Sequence, residues 1–117
     1  HPIAFEKLMR FAASIEGGYP ETGYHCKAHG ADVTNRMMTM LNSIGLTRVK
    51  PRPSEVPIAL VGLVAATVHD FGHPHLNNTF LVNQEKPMAA DFNNRSVAEN
   101  YSLREAMRTL MQPDTNF

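Results

Sequence analysis

The segment Val68-His69-Asp70-Phe71-Gly72-His73-Pro74-His75 sets three imidazoles and one carboxylate within eight residues. These are the side chains that bind divalent cations and that carry protons near neutral pH. An apolar run, Pro57 to Val68, leads directly into them and reads as a buried helix that delivers His69 and Asp70 to the interior. An ionised carboxylate in that position is costly to bury unless positive charge compensates it. Two accounts meet the requirement. His69 and Asp70 form a satisfied core pair followed by a polar turn, or a divalent cation supplies the charge. Neutral imidazole with carboxylate suits zinc, iron or manganese, and more oxygen-rich positions nearby suit magnesium.

A second pair of imidazoles stands in His25-Cys26-Lys27-Ala28-His29. Four residues apart on a helix, their β-carbons would lie about 5–6 Å from each other, close enough to reach one ion. Such a pair alone is a weak signal. Side chains converging from two helices are how helical bundles build metal sites, so the two pairs together say more than either. Asp32 falls on the same stripe as His25 and His29 if the helix starts close to Tyr24.

The elements that must position these groups are legible as helices. Phe5, Leu8, Met9, Phe11, Ala12 and Ile15 recur at three- and four-residue steps, and Gly17-Gly18 ends that pattern. Tyr19 to Gly23 is a turn-rich bridge. A second helix starts near Tyr24 and carries Val33, Met37, Met40, Leu41 and Ile44 on one face, with Gly45 placed as its C-cap. Pro51, Pro53 and Pro57 make the next stretch a stiff loop. After the apolar helix, Asn78 to Asn83 forms a short helical segment and Pro87 opens another. A last helix runs from the cap region Asn93-Asn94-Arg95-Ser96 towards Met111 and stops before Pro113. Met37, Met38, Met40, Met107 and Met111 read as core filling at helical spacing. No strand alternation and no internal repeat is visible, so the class is all-α.

With 117 residues, one domain is expected, and it has room for a real core. Eleven basic and eleven acidic side chains leave no net field for nucleic acid or an anionic membrane surface. Cys26 is the only cysteine, which excludes an internal disulfide and is compatible with a reducing compartment. Ile58 to Val68 falls well short of the roughly 20 apolar residues a membrane span requires. The chain opens on His1-Pro2 and stops shortly after a helical pattern, so it is expected to be a piece of something longer.

Three blocks in this order and at these intervals carry a family resemblance. They are Tyr24-His25-x3-His29 with Asp32-Val33; His69-Asp70-x2-His73-Pro74 with Asn78-x-Phe80-Leu81; and Asn93-x2-Ser96-Val97-x-Glu99-Asn100. From about Phe11 to about Leu110 the sequence resembles the catalytic domain of class I cyclic nucleotide phosphodiesterases, within the HD-domain phosphohydrolases. The resemblance implies a compact all-helical fold, of which residues 1–117 are the N-terminal part. It implies hydrolysis of cyclic AMP or cyclic GMP to the 5'-monophosphate in cyclic-nucleotide signalling, with two divalent ions, zinc and magnesium or manganese.

The same resemblance makes His29, His69 and Asp70 metal ligands, with Asp70 bridging both ions, and makes His25 the general acid that protonates the leaving 3' oxygen. Glu99 then orients His25 or holds a water on an ion, His73 and Asp32 are outer groups around the ions, and Tyr24 lies near the phosphate. Two ions roughly 3.5–4 Å apart can produce hydroxide near neutral pH and clamp phosphate oxygens for in-line attack. Read without the family, Glu99 is a solvated helix residue, His73 a helix-end cap, Asp32 a surface charge and Tyr24 a core aromatic.

Departures from the family pattern are Cys26 for an asparagine, His75 for a glycine, and Tyr101-Ser102 for a pair of histidines. The family's second metal aspartate, purine-fixing glutamine and aromatic clamp come from a later part, without counterparts in these residues. The chain alone is therefore expected to bind metal weakly and turn over little. The implied partner is a small cyclic nucleotide and not nucleic acid, with homodimerisation of the longer protein open. The expected location is the cytoplasm, or its membrane surface through segments elsewhere. The rival readings are a non-catalytic partner-binding domain of HD type and a phosphohydrolase acting on another nucleotide.

Overall fold

The computed structural model describes residues 2–74 and 77–117. His75, one of the departures noted above, lies outside the described residues. Among the described residues six α-helices follow in order: α1 (Pro2–Gly17), α2 (Lys27–Ser43), α3 (Ile58–Val68), α4 (Asn78–Asn83), α5 (Pro87–Asp91) and α6 (Val97–Leu110). A 3-10 turn over Leu46–Arg48 joins the loop between α2 and α3. Among the described residues there is no strand, so the all-α expectation holds.

Local chemistry accounts for most element boundaries. Pro87 opens α5 at a position where its missing N–H is no loss. Asn77 caps α4 by accepting the Phe80 amide at 2.7 Å. Helix α2 hands over at Ile44 to Gly45, whose φ of +83° is the left-handed conformation glycine adopts without strain. Its start, however, lies later than the sequence suggests. The Lys27 amide reaches back to the Pro20 carbonyl at 3.2 Å, the turn persists through Gly23, and Cys26 is the N-cap in extended conformation. His25 therefore sits on the approach to α2 and not on its first turn.

Two clusters hold the molecule together. The main one joins Phe11, Ile15 and Tyr19 to Val68 and Ala106, with Val64, Phe71, Leu110 and Phe117 around them. It ties α1 and the turn after it to the C-terminal end of α3 and to α6. A smaller one, Leu81, Ala89 and Val97, seats α4 and α5 on the start of α6. Each fully buried aliphatic or aromatic side chain in these clusters contributes about 1.5–3 kcal/mol of transfer free energy.

Helix α3 departs from the expectation of burial on all sides. It packs chiefly along α2, and its C-terminal half also meets α1 and α6. Ala66 and Val68 are buried there, whereas Ile58 and Val61 near its start are each 50% exposed because no described element covers that face. The methionines divide in the same way. Met37 and Met38 are half-buried, but Met40, Met107 and Met111 are exposed and do not fill the core. Among the described residues no helix is long and apolar enough to cross a membrane.

Candidate metal and catalytic site

The C-terminal end of α3 and the N-terminal end of α2 lie side by side, and their histidines meet there. His69 is the C-cap of α3. Its Nδ1 lies 2.7 Å from the Ala66 carbonyl, which can only accept, so Nδ1 carries the proton and Nε2 presents a lone pair. That lone pair faces another acceptor, Asp70 Oδ2, at 3.0 Å, and His29 Nε2 at 3.3 Å, which donates or accepts according to its tautomer. His29 Nε2 and Asp70 Oδ2 are themselves 3.3 Å apart. Acceptors facing one another at such distances repel unless a proton or a cation lies among them. Around a tetrahedral zinc with bonds of about 2.0–2.1 Å, neighbouring donor atoms stand about 3.3 Å apart. The three atoms thus fit the implied ion in both spacing and chemistry.

Asp70 is the centre of the group. Its carboxylate lies just beyond a helix C-terminus, where the carbonyl end of the macrodipole disfavours negative charge. Burial also pushes its carboxyl pKa up, but the hydrogen bond from His25 and the positive charge of His69, His25 and His73 when protonated outweigh burial and hold it below the ordinary aspartate value. His25 Nδ1 donates to Asp70 Oδ2 at 2.8 Å. Donor atoms of His25, His29 and Asp70 all lie within 4.8 Å of one another, so distance alone would admit His25 as a ligand.

Aromatic contacts fix the ring planes. His73 stacks on His25 with centroids 3.8 Å apart and planes 9° from parallel. Tyr24 is exposed, and its ring lies 4.6 Å from that of His29 and edge-on to His25 at 5.0 Å. Beside the cluster opens a cavity of about 510 Å³ lined by Tyr24, His25, His73, Asn77, Asn78, Ala98 and Glu99. His25 belongs both to the carboxylate cluster and to this cavity wall.

Two residues singled out from sequence stand differently. Glu99 reaches the cavity, but its hydrogen bond is to Asn78 Nδ2 at 2.9 Å, and the carboxylate bonded to His25 is Asp70. Asp32 is not brought to the cluster. It pairs with Arg36 Nε at 3.0 Å, and both side chains are largely exposed, so the i,i+4 geometry of α2 directs it to solvent. Asn78 carries more than its place in a motif suggested. Its Oδ1 accepts the Ala98 amide at 2.9 Å, capping α6 from another helix where Ser96 makes no side-chain cap, and its amide holds Glu99. An asparagine pair ahead of an apolar helix was the available signal. Tyr19, within what the sequence shows as a plain turn, was also missed.

Of the sequence departures, Cys26 is the N-cap of α2 and Tyr101 is half-buried. Ser102 is buried with a hydroxyl that has no partner among the described residues.

Known proteins resemble this chain in sequence and in fold. The chain is 34% identical over 111 residues to a cGMP-specific 3',5'-cyclic phosphodiesterase alpha of Plasmodium falciparum, covering 95% of this chain and 11% of that protein. It is 31% identical over 117 residues to 3',5'-cyclic-AMP phosphodiesterase 4 of Dictyostelium discoideum, covering 97% and 10% respectively. In three dimensions it matches the phosphodiesterase domain of the Salpingoeca rosetta rhodopsin phosphodiesterase with a TM-score of 0.80 and 25% identity, over 96% of this chain and 32% of that one. The chain thus spans about a tenth of the length of these curated relatives. Residues 24–117 match the family model described as 3'5'-cyclic nucleotide phosphodiesterase, and the chain belongs to that family.

Proposed function

We propose that the protein hydrolyses 3',5'-cyclic nucleotides to 5'-monophosphates in cyclic-nucleotide signalling, and that residues 1–117 are part of its catalytic domain. The observation that carries this reading is the convergence of His29, His69 and Asp70, from helices forty residues apart, so that three potential ligand atoms face one another. The relatives named above are described as specific for cyclic GMP in one case and as a cyclic-AMP enzyme in the other, so both nucleotides are candidate substrates. Since the chain covers 32% of a solved phosphodiesterase domain, the remaining ligands and the base-recognition residues are assigned to other segments of the complete protein. Dimerisation of that protein and a cytoplasmic location belong to the same proposal.

His29, His69 and Asp70 would hold the divalent ions, with the imidazoles suiting zinc and the oxygen donor suiting magnesium or manganese. Such ions, when bound, neutralise phosphate oxygens and bring the pKa of water towards neutrality. The protein's own groups supply the rest. His25, with Nδ1–H held by Asp70, carries a proton on its other nitrogen and delivers it to the leaving 3' oxygen. Stacking by His73 keeps the His25 ring from rotating away. Glu99, fixed by Asn78, orders water or substrate from the opposite wall of the cavity. Tyr24 shields the two α2-side imidazoles from bulk water and lies near the phosphate.

The test is made on the complete protein with cyclic AMP and cyclic GMP, following 5'-monophosphate release and bound metal together. His69→Ala and Asp70→Ala are expected to lose metal. His25→Ala is expected to keep it and to slow turnover by about 10²–10⁴-fold. Equal metal loss in all three would make His25 a ligand. A metal-loaded complete protein that cleaves neither nucleotide would overturn the reading in favour of a non-catalytic partner-binding domain.

A further inference from the structure

Tyr19 lies in the turn after α1, is only 6% exposed, and touches both ligand-bearing helices. Its hydroxyl donates to the Thr67 carbonyl at 2.8 Å in the last turn of α3, and it accepts the Asp70 backbone N–H at 3.3 Å. Its ring rests on Gly30, the residue after His29 in α2. A β-carbon at Gly30 would stand 2.8 Å from Tyr19 Cε1 and 2.9 Å from Cζ, so the ring occupies the space a side chain would need. The contact continues across the helix pair, where Thr34 and Thr67 approach hydroxyl to hydroxyl at 3.4 Å while each back-bonds to its own helix.

We infer that Tyr19 is a positioning residue that sets the spacing between His29 on α2 and the His69–Asp70 turn of α3, and thereby the shape of the cation site. The inference rests on the reading of His29, His69 and Asp70 as metal ligands. Its physical basis is that one rigid side chain braces the backbone on both sides of the cluster, through apolar contact on α2 and through hydrogen bonds on α3. The hydroxyl is both donor and acceptor here, and phenylalanine keeps the ring contact while removing both hydrogen bonds. Groups that support ligands from behind typically change metal affinity by about 10–100-fold when removed. Burial raises the Tyr19 pKa, so the hydroxyl keeps the proton it donates to Thr67.

The experiment titrates Co²⁺ into the chelator-treated complete protein and records the visible d–d absorption for the unaltered protein, His69→Ala, Tyr19→Phe and Leu81→Val. Leu81 belongs to the separate cluster formed by α4 to α6, and its substitution controls for a general loss of stability. Tyr19→Phe is expected to weaken Co²⁺ binding about tenfold and to alter the band shape. Leu81→Val should leave both at the unaltered values. In the metal-free protein the Asp70 amide should exchange with solvent faster in Tyr19→Phe. Unaltered affinity and spectrum in Tyr19→Phe, or an equal weakening in Leu81→Val, would overturn the inference. If the unaltered protein shows no cobalt band, or His69→Ala binds as well as it does, the metal reading beneath the inference fails instead.

Discussion

The α2–α3 pair has two unlike ends. At one, His25, His29, His69 and Asp70 are half-buried and face one another at 2.8–3.3 Å. At the other, Met40, Ile44, Val49, Val56, Ile58 and Val61 are all at least half exposed. This inverts the usual partition, in which apolar groups withdraw and ionisable ones face water. The difference lies in what stands behind each end. The core of Phe11, Ile15, Tyr19, Val68 and Ala106 supports the histidine end, whereas the described helices leave the opposite end uncovered. The polar cluster is held by packing beneath it, and at the apolar end Leu41 is the buried side chain, packed against Gly62 of α3.

The largest effect should come from removing that support. Ile15 is 1% exposed and packs in the cluster from which Val68 leads into His69. Ile15→Ala is expected to cost about 2–5 kcal/mol, a large share of the roughly 5–15 kcal/mol that stabilises a domain. Denaturant unfolding of the complete protein measures it. A cost below that of truncating an exposed residue at the opposite end would break the comparison.

A smaller effect is expected at Asp70, and its sign can be worked out. The carboxyl is held below its ordinary value in the folded chain, so the unfolded chain binds more protons through the acid range. Stability from this group is present above the unfolded-state value and is lost as pH falls through the folded-state one. In metal-free protein, Asp70→Asn should therefore flatten the decline of Tm on acidification below the usual aspartate range. A parallel decline in both proteins would mean that the imidazoles around Asp70 confer no such advantage.

How far the sequence reveals this molecule follows from the range of the forces involved. Helix α4 lies over Asn78–Asn83 as its flanking residues suggest, because an asparagine cap and three apolar residues are local facts. The stop of α1 at Gly17 and the start of α5 at Pro87 are local in the same sense. The convergence of His29 on His69 was suggested by two ligand pairs on two helices and made specific by the family resemblance, since spacing within one helix cannot say which helices meet. The late start of α2 depends on a hydrogen bond from Lys27 to Pro20, and the exposure of Ile58 and Val61 depends on which neighbours α3 has. Neither is written in periodicity. Asp32 illustrates the same limit, because sharing α2 with His29 does not bring it to the cluster and it pairs with Arg36, one turn on, at the surface.

The smallest effect belongs to the uncovered end. Val61 is 50% exposed, and a lysine there can lay its methylenes along the same surface while keeping its ammonium in water. Val61→Lys in the 117-residue chain should change unfolding free energy by no more than about 0.5 kcal/mol, the usual range for a surface substitution. It should also lower any tendency to self-associate, because it places a charge among exposed apolar side chains without touching the histidine end. Sedimentation and denaturant unfolding of the same sample decide the matter. The complete protein sharpens the contrast. If other segments of the phosphodiesterase domain cover this face there, the same lysine would be buried without a partner and would destabilise by several times as much. Equal and small effects in both proteins would mean that the apolar end is a true surface, and unequal ones that it is an internal face.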